Sequence, residues 1–220
     1  MPIPSIPISQ APKTAKERVY SQLKDWIIDG TLKPNEKISD QEIARYFSVS
    51  RTPIREALQL LGEQKLVCIY PGKESRIAPI DWENLHQIYR IISELHVLAL
   101  DFAYPHITGE TIAELEAINT RLSDAMDSND QKKLLELDNQ FHSVFFRIAG
   151  NDFLTGFADM LNIHTERAEN IYFANKKGKG IYSVDEHQII IAALKEHNLP
   201  KALEGMRRNW EHTIEILMKQ

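Results

Sequence analysis

The chain has a single cysteine, Cys68, in 220 residues. That excludes an internal disulfide framework and fits a reducing, cytoplasmic setting. Cys68 itself reads as a small apolar strand residue. No apolar run reaches the length of a membrane span. The N-terminus, MPIPSIPISQAPK, has no basic start followed by a continuous apolar core, so it does not read as a signal peptide. Its four prolines predict an extended, disordered tail over residues 1–13. An excess of positive charge is also missing. The net charge is −5, which by itself announces no nucleic-acid partner. A Gly-rich phosphate loop and a nucleophile elbow are both absent. Histidine is absent before residue 80, and all eight lie beyond it.

What is present is ordinary globular composition, 43% hydrophobic and 26% charged, enough for a sizeable core. The charge is divided unevenly. Residues 14–79 hold 11 Lys and Arg against 9 Asp and Glu, whereas residues 80–220 hold 14 against 22. The asymmetry predicts two domains with different partners. The short stretch Pro79-Ile80-Asp81 reads as their linker.

The stretch from Asp40 to Leu61 reads as two short helices joined by a tight turn at Ser48-Val49-Ser50. Ile43, Ala44 and Phe47 share a face of the first. The second starts near Thr52 and carries Ile54, Ala57, Leu58 and Leu61 at helical spacing. Pro53 suits its first turn, where the missing N–H leaves no bond unmade. Arg51 and Arg55, four apart, lie opposite the apolar stripe. A DNA-reading helix needs that division: one face on its own domain, the other offering arginines to guanine edges and phosphates. An ordinary helical hairpin with two solvated arginines shows the same spacing. Upstream, Thr14 caps a helix through Val19, Leu23, Trp26, Ile27 and Ile28 that stops at Gly30. Ile38 packs inward, and Ser39 or Asp40 caps the next helix. Downstream, Gly62 loosens the helix end. Leu66–Tyr70 and Ser75–Pro79 read as strands around a Pro71-Gly72-Lys73 turn. Three helices and a β-hairpin make a winged helix-turn-helix over residues 14–79.

Residues 16–78 resemble the N-terminal domain of the GntR family of bacterial transcription regulators. The segments VYSQLKDWIIDGTLKPNEKIS, DQEIARYFSVSRTPIREALQLL and LVCIYPGKESRI carry the resemblance, and VSRTPIREAL is close to the family's strongest signature. The resemblance implies a homodimer on a double-stranded DNA operator. Arg51 and Arg55 would enter the major groove, Ser50 and Thr52 would meet the backbone, and Gly72, with Lys73 beside it, would approach the minor groove at the wing tip. Gln41 stands where relatives often carry arginine. It can hydrogen-bond a base or phosphate but brings no charge, so the operator preference of relatives does not transfer.

Beyond Trp82 the pattern is all helical. Leu85, Ile88, Ile91, Ile92, Leu95, Leu98, Leu100 and Phe102 form a long apolar helix ending near Tyr104-Pro105. Thr108 caps the next, with Ile112, Leu115, Ile118 and Leu122. Leu134 to Ile148 form a third, stopped by Gly150, and Phe153 to Phe173 a fourth. A basic loop, Lys176–Gly180, reads as solvated and mobile, with phosphate binding as the alternative. Ser183–His197 and Pro200–Lys219 give the last two. About six helices in an antiparallel bundle over residues 80–220, behind a winged helix, look like the FadR-like subfamily with its FCD effector domain.

Within that bundle Asp138 and His142 lie four apart on one helical face. Glu186-His187 opens the next-to-last helix, and Asn209 and His212 lie three apart on the last. Carboxylate and imidazole groups converging from separate helices can hold a divalent metal; a lone buried histidine is otherwise a hydrogen-bonded core residue. The resemblance implies the metal: many FCD domains use a D-x-x-x-H motif and two later histidines. Asp138, His142 and His187 match. The last family histidine falls at Asn209, with His212 a turn later, so Asn209 oxygen, water or an effector carboxylate would complete the set. Nitrogen-rich ligation points to zinc, with nickel or manganese as alternatives. Arg147 and Arg167 are candidates for the carboxylate of a small metabolite, whose binding would change the spacing of the recognition helices in the dimer. The competing functional readings are a metal-dependent hydrolase using Asp138, His142 and His187, and a regulator with a decayed metal site and a purely organic effector pocket. No general base stands beside the ligand set, which argues against the hydrolase.

Overall fold

A computed structural model describes residues 14–70, 74–126, 130–173 and 183–218. The chain divides into two compact units between Pro79 and Ile80.

The first unit begins with α1 (Ala15–Ile28). Thr14 and Glu17 form a reciprocal capping box at its start, which satisfies two N–H groups that a helix end otherwise leaves unpaired. Val19, Leu23 and Ile27 are its buried stripe. A two-residue strand, β1 (Lys37–Ile38), leads into α2 (Asp40–Phe47), and Ser48 closes that helix in the left-handed conformation, φ 54°. Of the two expected caps it is Ser39 whose hydroxyl accepts from the backbone. Then comes α3 (Arg51–Glu63), which buries Ile54, Ala57, Leu58 and Leu61 and packs on α1.

The hairpin follows as β2 (Val67–Cys68) and β3 (Ser75–Ile77). Both strands are shorter than their apolar composition suggests. Ile69 and Tyr70 are exposed, and the pairing of β2 with β3 ends at Cys68 opposite Arg76. The sheet order is β1-β3-β2, antiparallel throughout, with Lys37 opposite Arg76 and Val67 opposite Ile77. β1 escaped sequence reading because two residues carry no period. Gly62 lies inside the last turn of α3 and does not loosen it. A Cβ there would stand 3.0 Å from Ile69 Cδ1, so glycine lets the hairpin close on the helix.

The second unit is all helical: α4 (Trp82–Ala103), a 3-10 turn (Tyr104–His106), α5 (Gly109–Ala125), α6 (Gln131–Ala149), α7 (Asp152–Phe173), α8 (Ser183–Lys195) and α9 (Leu199–Met218). Asp81, Thr108 and Asp130 accept first-turn N–H groups at the starts of α4, α5 and α6. Gly150, at φ 59°, ends α6 in a conformation that a side chain would strain. α4 is central, packing on α6, α7 and α9, while α5 packs on α6 and α8. Tyr89, Ile92, Leu100, Leu115, Phe141 and Phe145 are fully buried in its core. No helix among the described residues is long and apolar enough to cross a membrane.

Candidate functional site

In the first unit the candidate DNA residues lie on the surface. Gln41, Ser50, Arg51, Thr52 and Arg55 are all exposed, while the opposite face of α3 is buried. Ser50 occupies the N-cap of α3, yet its side chain makes no capping bond. Its exposed hydroxyl is thus not spent on the cap, and a helix N-terminus is a position that suits a phosphate. Arg55 Nε donates to Asp40 Oδ2 at 3.1 Å. Arg51 and Arg55 share a shallow groove with Asp40, Tyr70 and Glu74, so this face is not uniformly basic. The expected contacts Gly72 and Lys73 lie outside the described residues, as do the tail at 1–13 and the loop at 176–180.

The second unit brings Asp138, His142 and His187 together. One ligand atom from each lies within 4.8 Å of the others. His187 Nε2 is 3.6 Å from Asp138 Oδ1, and His142 Nε2 is 3.8 Å from Asp138 Oδ2. These separations are too long for good hydrogen bonds. They are close to the roughly 3.4 Å between ligands that each sit about 2.1 Å from a shared ion. The i,i+4 spacing places Asp138 and His142 on one face of α6, and the first turn of α8 delivers His187.

The surroundings fix these groups. His187 Nδ1 meets Asn119 Oδ1 at 3.2 Å, and Asn119 Nδ2 donates to the Val184 carbonyl at 3.0 Å. The amide orientation set by Val184 makes His187 Nδ1 the donor and leaves the Nε2 lone pair toward Asp138. Phe141 stacks on the His187 ring, centroids 3.6 Å apart and planes 8° from parallel. The Ser183 hydroxyl bonds the Asp138 carboxylate. Burial pushes the Asp138 carboxyl up, opposed by His142 and Ser183. Burial holds His142 and His187 below the usual imidazole range, so both are neutral, as metal ligands must be.

Asp138 Oδ1, His187 Nε2 and His142 Nδ1 are buried without hydrogen-bond partners. Leaving such groups unpaired costs about 1–3 kcal/mol each. A divalent cation beside Asp138 would satisfy Asp138 Oδ1 and His187 Nε2, meet His142 through the Nε2 that faces Asp138, and reverse the unfavourable charge balance at Asp138. The donor set therefore fits a metal. Asn209 is buried beside His142 and donates to Glu186 Oε2 at 2.8 Å. His212 is not brought into the group. Its Nδ1 lies 2.7 Å from Glu186 Oε1, and its side chain is 39% exposed.

The two expected carboxylate anchors fare differently. Arg147 is exposed, is bonded to Glu114, and borders a cavity of about 440 Å³. Arg167 is 3% exposed, a buried group rather than a surface charge. Sequence reading missed His96, Asn119 and the Tyr89–Glu169 pair. Tyr89 Oη donates to Glu169 Oε1 at 2.6 Å, and burial pushes that carboxyl up to about 8. The available signal was a polar residue at a core position of a helical stripe: His96 four residues after Ile92, and Asn119 between Ile118 and Leu122.

The sequence matches the bacterial regulatory proteins of the gntR family over residues 15–77 and the FCD domain over residues 87–212. The chain belongs to the GntR family and carries an FCD domain. It is a DNA-binding transcription regulator, and the hydrolase reading falls, because the families and relatives are regulators and not enzymes. It is 28% identical over 201 residues to the uncharacterized HTH-type transcriptional regulator YdhC of Bacillus subtilis, covering 90% of this chain and 88% of that one. It is 25% identical to the HTH-type transcriptional repressor GlaR of Escherichia coli, covering 91% and 94%. Its fold matches the solved structure of E. coli McbR/YncC with a TM-score of 0.79 at 20% identity, over 95% of this chain and 99% of that one.

Proposed function

We propose that the protein is a metabolite-responsive repressor that acts as a homodimer in the cytoplasm. In this reading residues 14–79 bind the operator and residues 80–220 hold effector and metal. The observation that carries it is the convergence of ligand atoms from Asp138, His142 and His187, of which Asp138 Oδ1 and His187 Nε2 are buried without a partner. Those residues would hold a divalent cation, zinc first and nickel or manganese next, with Asn209 at the fourth family position. The cation supplies positive charge and an open position for a small carboxylate. His187 is oriented for this by Asn119 and Phe141, and burial keeps both imidazoles unprotonated. Repression is supported by relatives named as repressors.

At the operator, Arg51 and Arg55 read or neutralise the major groove, Ser50 and Thr52 meet phosphates, and Gln41, Gly72 and Lys73 make flanking contacts. The dimer is supported by apolar stripes turned outward on two adjacent helices. Phe153, Phe157 and Met160 on α7 are 83%, 57% and 51% exposed, and Ile91, Leu98 and Phe102 are exposed on α4, which packs on α7. Large apolar side chains left outward in this number suit an association site.

Metal analysis of the purified protein before and after chelation tests the centre. One equivalent per chain, lost in Asp138→Ala and weakened roughly 10–100-fold in Asn119→Ala, is the expected result. Absence of stoichiometric metal sinks the metal centre. It favours the second reading, a metal-free effector pocket, which Asn209 in place of a histidine supports.

A further inference from the structure

The cavity bordered by His96, α6 and α7 opens to the surface through a polar mouth, where Asn139, Ser143, Asp152 and Asp159 are exposed. Thr155, Asp159, Asn162 and Glu166 recur every three to four residues on α7, so they form one polar stripe along it. All four line the cavity, with Asn139 and Ser143 of α6 on the other side. Across this mouth the two helices oppose amides, hydroxyls and carboxylates.

The floor is different. His96 is 3% exposed, and neither of its ring nitrogens has a hydrogen-bond partner. Its ring meets His142 edge-on at 4.9 Å and packs against Phe146 and Trp210 at 4.8 and 4.5 Å. His96 and His142 both line the cavity, so its inner end adjoins the Asp138 triad. A buried imidazole with both nitrogens unpaired and a cavity in front of it points to a ligand that supplies the partner.

Charge narrows the class. The lining contains the carboxylates of Asp152, Asp159 and Glu166 and one cation, Arg147, whose guanidinium is already bonded to Glu114. A plain carboxylate entering this mouth meets net negative charge. A molecule carrying an ammonium group beside its carboxylate is attracted there and can still present its anionic end at the floor.

We propose that the cavity binds a free amino acid, with its carboxylate at the floor beside His96 and His142 and its ammonium group among Asp159 and Glu166. The carboxylate end rests on the proposed reading of the Asp138 triad; the ammonium end and His96 do not. His96 is then a ligand-recognition residue, and Glu166, which already accepts from Asn139 Nδ2 at 3.0 Å, is held in place to receive the amine.

The test uses the full-length protein, metal-loaded and chelated. The probes are the twenty standard L-amino acids, each paired with its amine-free acid and the corresponding hydroxy acid. Thermal shift ranks them and calorimetry measures the best. The expected result is an amino acid bound at least about tenfold more tightly than its amine-free and hydroxy partners. Asp159→Asn combined with Glu166→Gln should remove most of that preference. His96→Phe, which keeps a ring but no nitrogen, should weaken binding about tenfold without changing metal content, and His96→Gln should restore part of it. Equal or tighter binding of the amine-free or hydroxy acids overturns the inference. So does failure of every amino acid to bind at millimolar concentration, or unchanged affinity in folded His96→Phe. Amino-acid binding that survives both chelation and Asp138→Ala upholds this inference and removes the metal centre. Stoichiometric metal with no preference for an amine does the reverse.

Discussion

The two units of this regulator spend their polar residues in opposite ways. In the DNA-binding unit the described core is wholly apolar, and every described residue assigned to the operator sits outside it. In the helical unit Ser93, His96, Asn119, His142, His187 and Asn209 are buried, and several of their polar atoms have no partner. Reading DNA needs arginines on a rigid support, so the support can be optimised separately. Sensing a small molecule, the role proposed for the helical unit, needs an interior, so stability and function there would share the same side chains. Substitutions should therefore separate folding from function in the first unit and couple them in the second.

The largest effect tests that coupling. Phe141→Ala is expected to destabilise the helical unit by about 3–5 kcal/mol, the usual range for removing a buried phenylalanine. It should also lower metal affinity, because the His187 ring loses the face it stacks on. Chemical denaturation and metal titration on the same sample measure both; a variant that loses stability but binds metal normally breaks the comparison.

Next is a pH dependence. The Glu169 carboxyl titrates near 8 in the folded chain against 4.5 ordinarily. The folded state then binds more protons than the unfolded state between these values, so this group's contribution to stability falls as pH rises from about 5 to 8. At about 1.4 kcal/mol per unit, the loss is on the order of 2–4 kcal/mol. Burial of His96, His142 and His187 below the usual range works in the opposite direction. The informative quantity is thus the difference between wild type and Glu169→Gln in metal-free protein. That difference should grow in favour of the glutamine variant as pH rises, and a flat difference from pH 5 to 8 counts against the buried acid.

Arg51→Ala should weaken operator binding by about 1–3 kcal/mol per lost base contact, with the melting temperature unchanged. Unchanged affinity in a gel-shift or anisotropy titration sinks the assignment of α3. Smallest is Asp40→Asn, which frees Arg55 from an exposed ion pair worth about 0–1 kcal/mol. Stability should move by no more than that, and operator affinity should hold or rise.

The sequence made the helices and one half of the site legible. Thr14, Ser39, Thr108 and Gly150 mark ends with local chemistry, and stripes such as Leu134, Leu137, Phe141 and Phe145 report burial without any knowledge of the partner. Asp138 and His142 were readable because four residues along a helix is a contact. His187 was placed beside them only by resemblance, since the spacing from α6 to α8 carries no distance. The neighbours that orient the site were hidden for the same reason: Asn119 reaches His187 across 68 residues and Tyr89 reaches Glu169 across 80. β1 was hidden by shortness. Arg167 was named only as a candidate carboxylate anchor, and its burial was hidden because arginine usually lies at the surface.

Trp210 gives this arrangement one further property. Its indole lies 4.5 Å from the His96 ring and 5.5 Å from that of His142, at the junction of the cavity and the triad. Indole emission responds to charges and dipoles within a few ångströms, so metal or ligand arriving at those two imidazoles, as proposed, would change the emission of Trp210. Set against the other two tryptophans, Trp26 and Trp82, that change would be an optical gauge of the interior with no label attached.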